Sequence, residues 1–484
     1  MTTATDTALE PGESSAAVDT PAEGSASSSA RPVELGGKLA GLSLPRQVYV
    51  LAIWPFCQQL LNWAVTAVDT AVAARLSTEA ANAIAVAGFI GWLLGLLTMA
   101  IGAGATALIA RAVGGRHRGL ANAGLAQALV IALVWGTAVG AAIFALSPWI
   151  GWIAGLRDES LHLSTTYLRI MAATAPLAGL LFVGGMSLNG AGDTRSFFRI
   201  MLAVNLINVG VTLALVSRGY GVAGIATGTA AGWVAGAMLT LFVVIKPGGP
   251  IRLHAHRLAP HWHTIKRILR IALPSLVDRF GHWLGNFAVM MLVGYIAIRN
   301  LGGDGSALQG AHIVAIRIEA ISFLPGLGVA VAASTLAGQY LGAGSPAMAR
   351  RAVLTCWAVG AGIMVVMGLT FVLFPVAWTR LMTDEPKILA LSPQLVRICG
   401  FVQIGFASYL VLSEAMRGAG DTKYPMILSN FSTWCIRLPA VWLMGIHFEL
   451  GLVGVWYALC GELILRGMLF AGRFLHGGWM KVRV

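Results

Sequence analysis

Apolar residues run through this chain in long blocks, and polar residues gather in the short stretches between them. A block of about 20 apolar residues makes a helix long enough to span a bilayer. Twelve such blocks occur, over approximately 47–74, 82–110, 120–147, 161–189, 197–217 and 221–245, then 265–298, 307–341, 348–378, 388–416, 424–446 and 451–475. Trp149, Trp152, Trp262 and Trp479 fall near block ends, where amphipathic rings favour the membrane interface. The pattern predicts an all-α polytopic membrane protein with twelve transmembrane helices.

Residues 1–45 differ in kind. They are small and polar, with almost no large apolar side chain before Leu35. That composition predicts a disordered N-terminal tail. The tail lacks the basic start and apolar core of a signal peptide, so the first span is expected to insert as an uncleaved anchor. Two lobes are expected after it, 46–246 and 264–484, joined by a loop over 247–263.

Composition agrees with the pattern: 57% of residues are hydrophobic and 11% are charged. Soluble domains run near 25% charged. The formal charge of +13 would suggest a nucleic-acid partner in a soluble protein. Here the basic residues sort by loop instead. One set of loops carries Arg111, Arg116 and Arg118; Arg195 and Arg199; Lys246, Arg252, Arg257, Lys266, Arg267 and Arg270; Arg350 and Arg351; Arg417 and Lys423. The opposite set carries only Arg75, Arg157, Arg218, Arg299, Arg380 and Lys387. The positive-inside rule places the rich set, and both termini with it, on the cytoplasmic side of the inner membrane, and no nucleic-acid role is expected. The cysteines, Cys57, Cys356, Cys399, Cys435 and Cys460, are scattered through apolar blocks, and neither a disulfide framework nor a metal site follows from them.

The two lobes are repeats. GAGDT stands at Gly190–Thr194 and again at Gly418–Thr422, a shift of 228 residues (190 to 418). The same shift relates Tyr167-Leu168-Arg169-Ile170 to Leu395-Val396-Arg397-Ile398, and 112–115 to 340–343. Six spans per repeat return the chain to the same side, so the repeats are parallel. This is the plan of an alternating-access carrier; a channel more often sets its repeats around a central pore. In each GAGDT loop glycine permits the tight turn and aspartate caps the next helix.

Polar residues inside the blocks carry the candidate chemistry. In the first span Gln58, Asn62, Thr66 and Asp69 share a helix face about 80° wide. A carboxylate at that depth costs roughly 3 kcal/mol, so it calls for a partner, a wet cavity or a proton. Pro55, before it, is a site where the helix can bend. Asn205, Asn208 and Thr212 share a face of the fifth span, about 60° wide. Ser275, Asp278, His282 and Asn286 share a face of the seventh, and Gln309, His312 and Glu319 form a looser one on the eighth. Arg279 and Arg317 stand close enough in sequence to pair with Asp278 and Glu319. Glu462 and Arg466, four apart, read as a structural pair. Each of these residues also has a purely structural reading, as a bond between helices. Trp63, Trp92, Phe182, Met186, Trp283, Met290 and Phe323 are candidates to line a cavity, since methionine and π faces suit varied organic cations. No Walker motif occurs, so ATP is not the expected energy source.

The stretches VDTAVAARL (68–76), NGAGDT (189–194), GVAGIATGT (221–229), LPSLVDR (273–279), the long run 310–344, MRGAGDTKYPM (416–426) and IRLPAVWL (436–443) together resemble the MATE (multidrug and toxic compound extrusion) transporters, and the DinF-like bacterial branch best. The resemblance extends across both lobes. It implies a V-shaped exporter of two six-helix lobes that drives organic, often cationic, compounds outward by cation-coupled antiport. It matches Asp69 to the family's first-helix aspartate, linked to protonation, and Pro55 to the helix-1 proline. Asn208 and Thr229 match members of a first-lobe cluster that in the family can hold sodium. That cluster often has an aspartate where this chain has Thr212. Asp278 matches the acidic position of the family's LP-x-x-x-E/D-R pattern.

The expectation is therefore a non-enzymatic secondary transporter that works as a monomer in membrane lipid, without cofactor, on small organic substrates. Proton coupling is favoured because Asp69 is the only acid within the first lobe's spans. Sodium coupling, and export of a lipid or metabolite, are the alternatives.

Overall fold

The computed structural model describes residues 35–301, 305–482 and 484, and the described residues form helices and connecting turns without a strand. Most of the expected tail, 1–34, lies outside the described residues. Its last residues depart from the expectation. Leu35 and Leu39 are buried in a cluster with Val48, Leu51 and Tyr340, around a short 3-10 turn at Gly37–Leu39. Two leucines four apart give this segment an apolar anchor that the residues before it lack.

The first half holds α1 (Leu44–Leu76), α2 (Thr78–Gly114), α3 (Arg118–Ile153), α4 (Asp158–Gly190), α5 (Thr194–Val216) and α6 (Gly221–Ile245). Most extend a few residues beyond the apolar blocks, and capping side chains set the starts of two of them. Ser77 caps α2 by accepting the Ala80 N–H at 3.0 Å. Asp193 caps α5 through the Ser196 N–H at 3.3 Å. The turn before that cap needs Gly192, whose φ is +86°; its repeat counterpart Gly420 has φ +91°.

The second half holds α7 (Trp262–Leu301), α8 (Gly305–Gly342), α9 (Pro346–Leu373), α10 (Pro375–Arg380), α11 (Pro386–Gly400), α12 (Gln403–Gly418), α13 (Lys423–Phe431), α14 (Leu438–Trp442) and α15 (Gly451–His476). Three predicted spans are interrupted here. The block 348–378 stops at Leu373, ahead of Pro375. The block 388–416 bends by 60° between α11 and α12. At that bend the Gln403 side-chain amide donates to the Cys399 carbonyl at 3.0 Å, competing for the acceptor that a continuous helix would use. The block 424–446 is helical but widened by π turns at Ser432–Arg437 and Leu443–His447. Pro439 supplies no N–H within it. Among the described residues, ten helices are long and apolar enough to cross a membrane singly, and the bent α11–α12 pair makes an eleventh. The π-widened run 423–447 accounts for the remaining predicted block, 424–446.

Within the first half α4 is central, packing on α2, α3 and α6; α8 and α12 play that part in the second. Two helices reach across: α1 lies along α8, and α7 along α2. The halves meet most tightly at the end that carries the GAGDT loops. There Arg111 donates to the Ala419 carbonyl at 2.7 Å, while Gln339 and Thr335 donate to the carbonyls of Gly190 and Asn189 at 3.1 and 2.9 Å. Arg111 and Gln339 are themselves 228 residues apart, so each repeat reaches into the other's GAGDT loop. Small residues permit the approach. A Cβ on Gly104 would stand 2.6 Å from the Ile268 carbonyl oxygen, and one on Gly338 the same distance from the Ala110 Cβ. Lys38 adds an ion pair to Asp193 at 2.6 Å, and Tyr340 donates to the Gln47 side chain at 2.8 Å. The loop 247–263 is tied to α3: Gln127 donates to the carbonyls of Arg257 and Ala259 and accepts the His261 N–H.

Candidate functional site

Away from the sealed end, α1, α2, α4, α5 and α6 enclose a cavity of about 490 Å³, with one residue of α8 on its wall. Asp69 stands on this wall with Asn62, Thr66 and Thr70 of the same helix, so the polar face of the first span lines the cavity from Asn62 onward, while Gln58 does not reach it. Asp69 is seven residues, about 10 Å, from the end of α1. One of its carboxylate oxygens is buried and has no hydrogen-bond partner among the described residues. Thr66 donates to the Asn62 carbonyl at 2.9 Å, and the Asn62 side-chain oxygen accepts from Asn205 at 3.2 Å, which ties α1 to α5.

Asn208 donates to the Thr229 hydroxyl at 3.1 Å, and both residues line the cavity. The Asn208 side-chain oxygen is buried without a partner. Thr212 departs from the expectation. It is fully buried between α5 and α6 behind Gly228, and it does not line the cavity. Tyr167 was missed as a site residue. It lines the cavity and interacts electrostatically with Asp69 and with Thr229. The only sequence signal for it was its place in the repeated YLRI stretch. Pro55 is buried within a helix that continues through it, at a point where a Cβ on Gly328 of α8 would stand 2.8 Å from the Phe56 Cβ.

Asp278, His282, Asn286, His312 and Glu319 do not line this cavity. They lie in the second half, most of them in or beside a buried charge network, and the expected pairing with Arg279 and Arg317 does not occur. Asp278 is bound instead by Arg417 at 2.5 Å, and Arg417 also holds Glu414 at 2.6 Å. Arg279 turns to Glu414 at 3.4 Å. Glu462 is fully buried between Arg437 and Arg466, at 2.7 Å from each, and accepts a short bond from Ser432. The π turn at Ser432–Arg437 brings Ser432 and Arg437 to this carboxylate from one stretch of chain, and sets the Thr433 hydroxyl to accept from Arg466 at 2.8 Å. Two arginines around one glutamate leave a positive charge over, and Glu319 lies within electrostatic reach of Arg437. Asn286 accepts from Arg437 at 3.5 Å, and His282 faces Arg466, Arg437, Arg417 and Arg279. His312 accepts from the Trp456 indole N–H at 3.1 Å, away from these charges.

Of the aromatic and methionine residues proposed for a lining, Phe182 alone is on the cavity wall, joined there by Met171, Met201 and Trp233. Trp283 and Phe287 stack on each other at 6.1 Å and both meet the Phe89 ring, at 4.8 and 5.8 Å, and Trp283 donates to the Phe89 carbonyl at 3.3 Å, so these rings bridge α7 and α2. Among the described residues no cluster of His, Cys, Asp and Glu is suited to a metal ion.

The cavity thus sets polar side chains of α1, α5 and α6 among apolar ones, in a helical membrane protein built from two repeats. The MatE family model matches the chain over residues 56–213 and again over 274–443, once in each half. The chain belongs to this family. It is 27% identical over 441 residues to a probable multidrug resistance protein NorM of Thermotoga maritima, spanning 90% of this chain and 93% of that one. It is 26% identical to the multidrug resistance protein PmpM of Pseudomonas aeruginosa, over 83% of this chain and 84% of the relative. Among solved structures it resembles a MOP superfamily transporter from Pyrococcus furiosus, with a TM-score of 0.84 and 20% identity over 91% of this chain and 98% of that one. It also resembles an outward-facing multidrug resistance MATE transporter, with a TM-score of 0.83 and 20% identity over 91% and 97% of the two chains. The chain therefore has the MATE transporter fold, with two pseudo-symmetric halves of six spans.

Proposed function

We propose that the protein is a multidrug exporter of the cytoplasmic membrane that exchanges external protons for an internal organic compound by alternating access. The observation that carries this reading is Asp69, a lone carboxyl on the cavity wall with one buried oxygen left without a partner. A carboxyl within an apolar span that has no ion pair is by default a functional group, and a proton is the simplest cation it can carry. Asn208, Thr229 and Tyr167 line the same cavity, and Tyr167 interacts electrostatically with Asp69. With the GAGDT end cytoplasmic, the tight seal lies inside and the cavity faces outward. Proton uptake at Asp69 would alter α1 and free substrate, and the missing N–H of Pro55 gives that helix a place to bend.

Sodium coupling is the second reading, favoured by the unpartnered oxygens of Asp69, Asn208 and Thr212. A sodium ion needs several oxygen ligands with charge compensation. Only one acid is present, and Thr212 stands behind the wall, so a proton suits the site better. Everted vesicles test the choice. Asp69→Asn is expected to abolish substrate uptake driven by a pH gradient. Unchanged proton dependence in that variant would overturn the reading, and uptake that follows a sodium gradient at fixed pH would replace proton with sodium.

A further inference from the structure

The α8 residue on the cavity wall is Arg317. It belongs to the second half yet faces the chamber of the first. Its side chain is exposed there, twelve residues and about 18 Å along α8 from Gly305. A guanidinium at such depth is costly unless it is paired or wetted. The arginines of the charge network in the second half are all engaged: Arg279 and Arg417 by Glu414, Arg437 and Arg466 by Glu462. Arg317 makes no ion pair or hydrogen bond among the described residues. Asp69 lines the same cavity and forms no ion pair with it, although the two charges are opposite. The chamber thus carries a free cation on one wall and a free carboxyl on another, contributed by different halves of the molecule.

We propose that Arg317 recognises an anionic group on the transported compound, so that the chamber selects organic zwitterions whose carboxylate meets Arg317 while their cationic end faces Asp69. This deepens the exporter reading and rests on it. A planar guanidinium holds a carboxylate through two parallel N–H···O bonds, which gives it both strength and orientation. An ester of the same compound offers only neutral acceptors and loses the charge.

The test uses rhodamine B, a zwitterion with a free carboxylate, and its ethyl ester, a cation of nearly the same shape. Uptake into everted vesicles gives KM and maximal rate for each dye, and titration calorimetry on the purified protein gives binding separately. Arg317→Gln is expected to raise KM and Kd for rhodamine B by roughly ten-fold or more, the loss of one charge-assisted pair, and to change those for the ester by less than about two-fold. Arg317→Lys should recover part of the difference, since it restores charge without the planar fork. Equal effects on both dyes, or none on either, overturn the role of Arg317. Binding that depends on Arg317 without uptake in the wild type would instead overturn the exporter reading and leave the recognition site standing.

Discussion

Removing Arg417 is expected to damage the protein's stability more than removing Asp278, although Asp278 is the residue that sequence patterning singles out. Their side chains are 6% and 5% exposed and meet at 2.5 Å. Asp278 has no second cationic partner, so Arg417→Met leaves a carboxylate buried and unpaired. Breaking a buried pair in this way costs about 3–5 kcal/mol. Melting temperature moves by roughly 1–2 °C per kcal/mol for a chain of this size, so the loss is about 3–10 °C. Asp278→Leu leaves Arg417 still bound to Glu414 at 2.6 Å and to Ser413 at 3.1 Å. Its cost is that of one charge-assisted bond, about 1.5–3 kcal/mol. In the double variant the orphaned charge disappears, and Glu414 keeps Arg279. The double variant should therefore be at least about 2 kcal/mol more stable than the sum of the single effects predicts. Melting of the detergent-purified protein, followed by tryptophan fluorescence, completes the cycle. Additive single effects would refute the pairing. An Asp278→Asn protein that melts like the wild type but no longer responds to a proton gradient would show that Asp278 acts in coupling rather than in holding α7 to α12.

Two further outcomes follow from the seal and the second charge cluster. Arg111→Ala and Gln339→Ala each remove a bond from one repeat to the other's GAGDT loop, so both are expected to loosen that end; spin-label distances across it should lengthen or broaden in either variant, and an unchanged distribution would mean that the small-residue packing alone holds the seal. Glu462→Gln leaves Arg437 and Arg466 facing each other with no carboxylate between them, at a cost of about 3–5 kcal/mol, and should sharply lower the yield of monodisperse protein, whereas a normal yield and melting temperature would show that the two arginines find other acceptors.

Much of this molecule was legible in the order of its residues. The apolar blocks, the 228-residue repeat and the polar face of the first span all survive in the structure, because each depends on local periodicity or on comparison of the chain with itself. Asp69 could be chosen as the cavity acid since a carboxylate within an apolar span is costly wherever the helix packs. The interruptions were less legible. The bend at 400–403 arises when one glutamine side chain competes for one carbonyl, and the π turns around Pro439 leave the apolar pattern of the block unchanged.

Partners were the part that sequence spacing misassigned. Asp278 and Arg279 are neighbours in the chain but point to different partners, and Asp278 finds Arg417 139 residues later. Arg317, expected beside Glu319, faces the chamber of the other half. Successive residues on a helix lie about 100° apart, so adjacency in sequence separates side chains as often as it joins them. The sequence by itself determined that the chain is an array of apolar helices long enough to span a membrane, that it is built in two matched halves, and that a single acid stands within the apolar blocks of the first half. Only the tertiary structure decided which charges neutralise one another and which stay free, because that depends on the crossing of α1 over α8 and α7 over α2, which no local pattern encodes.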